Sequence, residues 1–303
     1  MIPQLTTSLL TARSDGAGPD PSLPVLVVGP SLGTGVKALW GPAVADLAPL
    51  ATVVGWDLPG HGSGTPAAAP FSLAELAAGV LRAVEGLLAE GSLPAAAPRF
   101  YAGVSIGGAV TLQLGHDHPG AFAGLVPICT ASRIGTPQAW EERAALVERA
   151  GTPTQVVGSA QRWFAPGFIE AQPSIATALL HTLQDADRFS YAHACRALAG
   201  FDLSGDLAAI TDPVLAINGE DDTVCPPGDA AFTASHVARG TALALPGVGH
   251  LAPAEAPAAL AAALGAFLRP PSAAAPARPG DPAPSGDPAR PGEPAPSGME
   301  EGA

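Results

Sequence analysis

Ser105 stands between glycines in Gly103-Val104-Ser105-Ile106-Gly107, directly after the apolar residues 100–102 and ahead of helix-forming sequence. A serine hydroxyl that attacks a carbonyl must be held clear of a sheet on a tight strand-to-helix turn, and small neighbours let the backbone fold closely there. Gly103, Gly107 and Gly108 meet that demand. In a chain with 36 glycines the pentapeptide alone is a moderate signal, so its weight rests on residues later in the chain. Residues 213–219 form an apolar run that opens into Glu220-Asp221-Asp222-Thr223-Val224-Cys225-Pro226, and residues 241–245 form another that leads to Pro246-Gly247-Val248-Gly249-His250. Serine, carboxylate and histidine are the set that nucleophilic acyl transfer uses, and this chain order, with the last two on loops after strands, is one of the orders in which such triads occur. Ser105 is the expected nucleophile and His250 the base. Asp222 is the expected orienting acid, three residues beyond Gly219 and four before Pro226, with Asp221 as the alternative.

The oxyanion of such a reaction needs preorganised donors, and backbone N–H groups are the expected ones. One is Ile106, at the start of the helix after the serine. The other comes from Gly29-Pro30-Ser31-Leu32-Gly33-Thr34-Gly35, where Pro30 lacks an N–H, which makes Ser31 the first choice and Leu32 the second. His61, in Gly60-His61-Gly62, precedes the nucleophile on a turn and is not expected to act as the base, and Asp57 is expected to be a structural hydrogen-bonding residue. Cys129, Cys195 and Cys225 are an odd set without C-x-x-C spacing, which suggests neither a disulfide framework nor a zinc site. Reduced thiols are expected, with Cys225 a small buried filler near the acid.

The elements that must position these residues are legible as apolar runs. Strands are predicted at 25–28, 52–56, 100–102, 125–129, 213–218 and 241–245, and a helix at 72–89 opened by a Ser72/Glu75 capping box. Strands alternating with helices predict an α/β fold whose mostly parallel, doubly wound sheet is covered on both faces. Between the strands at 125 and 213 lie more residues than a crossover needs, with amphipathic stretches at 139–150 and 175–184. This excess predicts a helical cap, residues 132–200, inserted between a first core part at 1–131 and a second at 201–270. From 271 to 303 the sequence repeats Arg-Pro-Gly-Asp/Glu-Pro-Ala-Pro-Ser-Gly, starting at Arg278 and again at Arg290, and predicts a disordered Pro/Ala/Gly-rich tail or linker.

Composition narrows the partners. With 47% hydrophobic residues the core of one large domain is easily filled. A formal charge of −13 and a single lysine, Lys37, argue against a nucleic-acid partner, which is bound by clustered cations. The N-terminus has no cationic start with a long apolar run, and no segment reaches the roughly 18 apolar residues of a spanning helix, so no membrane partner and a cytoplasmic location are expected.

Beyond these signals the chain resembles the 3-oxoadipate enol-lactonases, serine hydrolases of the α/β-hydrolase fold that act in the β-ketoadipate pathway of aromatic compound catabolism. The resemblance is carried by Ser31-Leu32-Gly33-Thr34, Gly103-Val104-Ser105-Ile106-Gly107-Gly108, Thr130-Ala131-Ser132-Arg133-Ile134-Gly135-Thr136, Arg162-Trp163-Phe164 and Gly249-His250-Leu251, over about residues 23–268. Pro30 departs from the family, which has a small polar residue there. The resemblance implies opening of 3-oxoadipate enol-lactone to 3-oxoadipate through an acyl-enzyme, with no metal and no organic cofactor. It also makes the tail look like the linker of a fusion to a carboxymuconolactone decarboxylase.

A small anionic lactone in an acidic protein needs a local cation, and arginine is suited to a bidentate grip on its carboxylate. Arg133, where the cap leaves the core, is the expected one and Arg162 a second candidate, with Trp163 and Leu32 as further substrate contacts. The rival readings are a general carboxylesterase or C–C bond hydrolase of ring-fission products, and a hydrolase-fold binding protein without turnover.

Overall fold

A computed structural model describes residues 1–11 and 18–269, in which the continuous apolar runs become the inner strands of one sheet. In chain order its strands are Thr6–Leu9 (β1), Val25–Gly29 (β2), Thr52–Asp57 (β3), Arg99–Val104 (β4), Gly124–Ile128 (β5), Pro213–Gly219 (β6) and Arg239–Leu245 (β7). Their spatial order is β1-β3-β2-β4-β5-β6-β7. Every neighbouring pair is parallel except β1 with β3. β2, β3 and β5 are buried at every residue, as strands covered on both faces must be, whereas β7 is an exposed edge. β1 has no counterpart among the strands predicted from sequence, because Thr-Thr-Ser-Leu is short, polar and half-buried, the composition of an edge strand rather than a core one.

Helices Val36–Trp40 (α1), Val44–Leu47 (α2), Leu73–Ala89 (α3) and Ile106–Asp117 (α4) belong to the first half of the sheet. The capping box that opens α3 is formed: the Ser72 side chain accepts from Glu75 N–H at 3.2 Å, and the Glu75 carboxylate accepts from Ser72 N–H at 3.0 Å. α4 is buried along most of its length, which its small and apolar residues allow. Trp40 Nε1 donates to Gly29 O at 3.0 Å and Trp56 Nε1 to Tyr101 Oη at 3.1 Å, so the large core rings also have their polar atoms satisfied.

Between β5 and β6 the described chain is helical: Pro137–Ala150 (α5), Val156–Trp163 (α6), Phe168–Ala171 (α7), Pro173–Asp185 (α8) and Arg188–Ala199 (α9). α5 and α9 are tied by a two-pronged Arg196–Glu148 pair at 2.6 and 2.9 Å. Helices Pro227–His236 (α10), Ala252–Glu255 (α11) and Pro257–Phe267 (α12) come next. Residues 1–268 make one compact unit, and the predicted tail at 271–303 lies outside the described residues.

The strand order fixes where a ligand can sit. The chain leaves β2 for β3 on one side, whereas β4 lies on the other, so the loops after β2 and β4 diverge and leave a crevice at the carboxyl ends of the strands. Ser31, Leu32 and Ser105 stand in those two loops.

Candidate active site

Ser105 has φ 57° and ψ −115°, a conformation an L-residue keeps only where its surroundings impose it. Its N–H donates to Ile128 O at 2.9 Å, and its carbonyl accepts from Ala109 N–H at 2.8 Å and from Thr130 Oγ1 at 2.9 Å. Gly107 N–H donates to Pro30 O at 3.1 Å and ties the turn to the β2 loop. A Cβ on Gly103 would stand 2.0 Å from Gly107 O, so this turn closes only with glycine there. The sharp strand-to-helix turn predicted around Ser105 is present.

Asp222 and His250 meet across two loops. His250 Nδ1 lies 2.8 Å from Asp222 Oδ2, with the side chains 2% and 0% exposed. The other carboxylate oxygen accepts from Val224 N–H at 2.8 Å and Cys225 N–H at 3.0 Å, which leaves Oδ2 for the imidazole. Asn218, at the end of β6, donates its side-chain amide to Cys225 O and so holds the acid loop. Asp221 is exposed, with its N–H on Val248 O at 2.9 Å, and it is Asp222 that reaches the histidine. Among the described residues no hydrogen bond joins Ser105 Oγ to His250. Such contacts are often long before substrate arrives.

The donor order expected from the sequence is corrected. Ser31 N–H is taken by Thr34 Oγ1 at 3.1 Å, because the threonine hydroxyl folds back over the turn and also donates to Ser31 O at 2.9 Å. Leu32 N–H and Ile106 N–H have no hydrogen-bond partner among the described residues. Of the two β2-loop residues it is therefore Leu32 whose N–H lacks a partner among the described residues.

Ser105 and His250 line a cavity of about 160 Å³ together with Ser31, Leu32, Trp163 and cap residues of α5, α6 and α9. The volume lies below the roughly 300–1,000 Å³ of a typical drug-sized site, which suits a small substrate. Arg162, the second candidate from the sequence, lines it. Arg133 does not, and here the expectation from sequence is overturned. Ser132 O accepts from Leu203 N–H at 2.9 Å, and the backbone beyond it alternates, burying Ile134 and turning Arg133 outward. The Arg133 side chain is 55% exposed and pairs with Asp202 at 3.5 Å.

The cation that sequence reasoning missed is Arg143. It lines the cavity from α5, with its guanidinium 4.6 Å from the Trp140 ring centroid. The signal was present: Trp140, Arg143, Ala144 and Val147 recur at helical spacing, so this arginine lies on the face that α5 buries. Among the described residues neither Arg143 nor Arg162 is paired with a carboxylate. Desolvation, followed by the like charge of Arg143, holds Arg162 below the usual arginine range. Two unpaired guanidiniums thus converge on the serine cavity.

Two further buried polar residues are held outside the triad. Asp57 accepts from Val36 N–H at 2.7 Å, from Ser63 N–H at 2.9 Å and from Ser63 Oγ at 2.7 Å. His61 has Nδ1 2.8 Å from Pro59 O and stacks on Tyr191 at 5.7 Å; burial lowers its pKa. Cys225 and Cys129 are buried, and desolvation pushes both thiols far above their usual range, which makes them fillers rather than nucleophiles. Among the described residues there is no His/Cys/Asp/Glu group fit to hold a metal ion and no helix long and apolar enough to cross a membrane.

Comparisons with known proteins agree with this geometry. Residues 25–263 match the model of the alpha/beta hydrolase family. The 3-oxoadipate enol-lactonase 2 of Acinetobacter baylyi is 32% identical over 246 residues, which are 81% of this chain and 89% of that protein. The 3-oxoadipate enol-lactonase 1 of the same organism is 32% identical over 73% of this chain and 79% of its own length. Among solved structures, the enol-lactonase from Burkholderia xenovorans LB400 superposes with a TM-score of 0.77 at 26% identity, covering 87% of this chain and 96% of that one. A hydrolase from Pseudomonas aeruginosa PA01 gives a TM-score of 0.76 at 28% identity, covering 87% and 98%. A family match that runs from the first buried strand to the last helix, with relatives of this identity over most of both chains, makes the protein a member of the α/β-hydrolase family and an enzyme, a hydrolase.

Proposed function

We propose that this hydrolase opens the ring of a small anionic lactone, 3-oxoadipate enol-lactone, to give 3-oxoadipate. The observation that carries the reading is the pair of unpaired arginines, Arg143 and Arg162, lining the same cavity as Ser105 and His250. Two like charges at one cavity favour an anion between them, and a carboxylate offers a matching fork. The enol-lactonase names of the relatives support the same substrate.

In the proposed reaction the arginines hold the substrate carboxylate and leave the lactone carbonyl over Ser105. His250 takes the hydroxyl proton as Ser105 Oγ adds to the carbonyl carbon, and Asp222 fixes the imidazole tautomer and supports its charged form. The oxyanion is met by the N–H groups of Leu32 and Ile106, each donor worth about 3 kcal/mol of barrier. The ring C–O bond then breaks, leaving its electron pair on the ring oxygen, which takes from His250 the proton that Ser105 gave up; the enol so formed tautomerises to the ketone, and the imidazole is neutral again. Water, deprotonated by His250, adds to the acyl carbon, and the serine oxygen leaves with that proton. A fusion partner joined through the Pro-rich tail belongs to the same reading.

The test is a kinetic comparison of enol-lactone with p-nitrophenyl acetate in wild type, Arg143→Ala and Arg162→Ala. Each loss should lower kcat/KM for the enol-lactone by on the order of tenfold to a hundredfold, since each removes one of two charged partners from a buried carboxylate. The neutral ester should change by less than about threefold, because it presents no charge to either arginine. A wild-type preference for the aryl ester would return the general carboxylesterase reading.

A further inference from the structure

Cap and histidine loop meet in a knot of hydrogen bonds that neither the substrate cavity nor the three reacting side chains account for. The carboxylate of Glu255 accepts three N–H groups: Ala165 of the cap at 2.7 Å, Gly249 at 3.1 Å and Leu251 at 3.0 Å. The last two residues flank His250. A fourth bond runs from His250 N–H to Trp163 O at 2.9 Å. The approach is close enough that a Cβ on Gly249 would stand 2.7 Å from Ala165 N and 2.9 Å from Phe164 C.

Glu255 stands at the end of α11, and the Leu251 bond alone would be ordinary capping of that short helix. The bond to Ala165, across 90 positions of sequence, is not. Oε2 accepts two N–H groups and Oε1 one, with no acceptor bonded to either among the described residues, so the site seats the ionised carboxylate. Burial raises its pKa, and the three N–H groups and the neighbouring His250 work against that rise.

We propose that Glu255 is a positioning residue that holds cap residues 163–165 and the His250 loop in one register, so that substrate gripped by Arg162 and packed on Trp163 meets the base at a fixed place. The proposal rests on His250 being that base. Glu255 touches no reacting atom and acts through the main chain of Gly249 and Leu251. Glutamine would match it in shape but turns an NH₂ toward N–H donors, so it breaks part of the knot without leaving a hole.

The test compares kcat, KM and the thermal midpoint of wild type, Glu255→Gln, Glu255→Ala and His250→Ala on enol-lactone and p-nitrophenyl acetate. Ala165→Pro is added because it removes the cap-side donor and sets a ring carbon against the Glu255 carboxylate, which parts cap from loop there, and the extended backbone at Phe164, ψ 142°, accepts a following proline. A displacement of the base by a fraction of an ångström to about 1 Å should lower kcat about tenfold in Glu255→Gln and Ala165→Pro and up to about a hundredfold in Glu255→Ala, with KM within about twofold. Glu255→Gln should melt within a few degrees of wild type. Unchanged kcat in Glu255→Gln or in Ala165→Pro overturns the proposal, as does a loss carried by KM alone. Full turnover in His250→Ala is a separate failure, that of the base itself.

Discussion

In the sheet half of the site the anchors are mostly main chain: Ser105 N–H on Ile128 O of β5, Gly107 N–H on Pro30 O of the β2 loop, Asp222 on its own loop amides and His250 N–H on Trp163 O, with the Asp222 carboxylate on the imidazole. In the cap half, the working groups are long side chains, Arg143 on α5 and Arg162 on α6, whose guanidiniums reach the cavity from helix faces. The difference teaches where each kind of demand is met. Chemistry needs sub-ångström placement, which a sheet with anchored loops supplies. Recognition of one carboxylate needs charge and reach, which helix side chains supply and can change without disturbing the sheet.

The comparison breaks most visibly at the nucleophile. Ser105→Ala should lower kcat on the order of 10⁶-fold for enol-lactone and aryl ester alike, because it removes the attacking atom whatever the substrate. Calorimetric binding of 3-oxoadipate to this variant should persist, since the arginines remain. Substantial turnover by Ser105→Ala would end the acyl-enzyme reading. A smaller but equally substrate-blind loss, on the order of 10⁴-fold, is expected for Asp222→Asn, which leaves the shape intact but no longer fixes the imidazole tautomer. Asp221→Asn, on the exposed neighbour, should stay within about twofold of wild type. If the two variants exchanged behaviour in a kcat measurement, the 2.8 Å contact between Asp222 and His250 would not be the working one.

What is legible in the sequence divides along the same line. The nucleophile turn, the acid loop and the late histidine each rest on a short contiguous motif, in which glycine and proline report backbone constraints that hold wherever the strand ends. The α/β class is legible because buried parallel strands read as unbroken apolar runs. The order of Ser31 and Leu32 is not, because it depends on the Thr34 hydroxyl reaching back to Ser31 N–H, a side-chain contact that no spacing rule encodes. β1 is hidden because an edge strand buries too little to show a pattern. In the cap the error comes from weighing adjacency above phase: Arg133 lies just beyond a core strand in the chain, whereas Arg143 shares a buried helix face with Trp140.

The smallest expected effect tests that last distinction directly. Arg133→Ala should change kcat/KM for enol-lactone by less than about twofold, because an exposed pair such as Arg133–Asp202 is worth about 0–1 kcal/mol and the side chain points away from the cavity. The thermal midpoint should move by no more than about a degree or two on the same grounds. Arg162→Ala, only 29 positions further along the same cap, should by contrast lose most of the enol-lactone preference while melting near wild type. If Arg133→Ala instead weakened the anionic substrate selectively, the outward turn after Ser132 would have to reverse when substrate binds, and the carboxylate would be read from the cap's junction with the sheet rather than from its helices. Measured side by side on charged and neutral substrates, the two arginines therefore decide which part of the cap carries recognition.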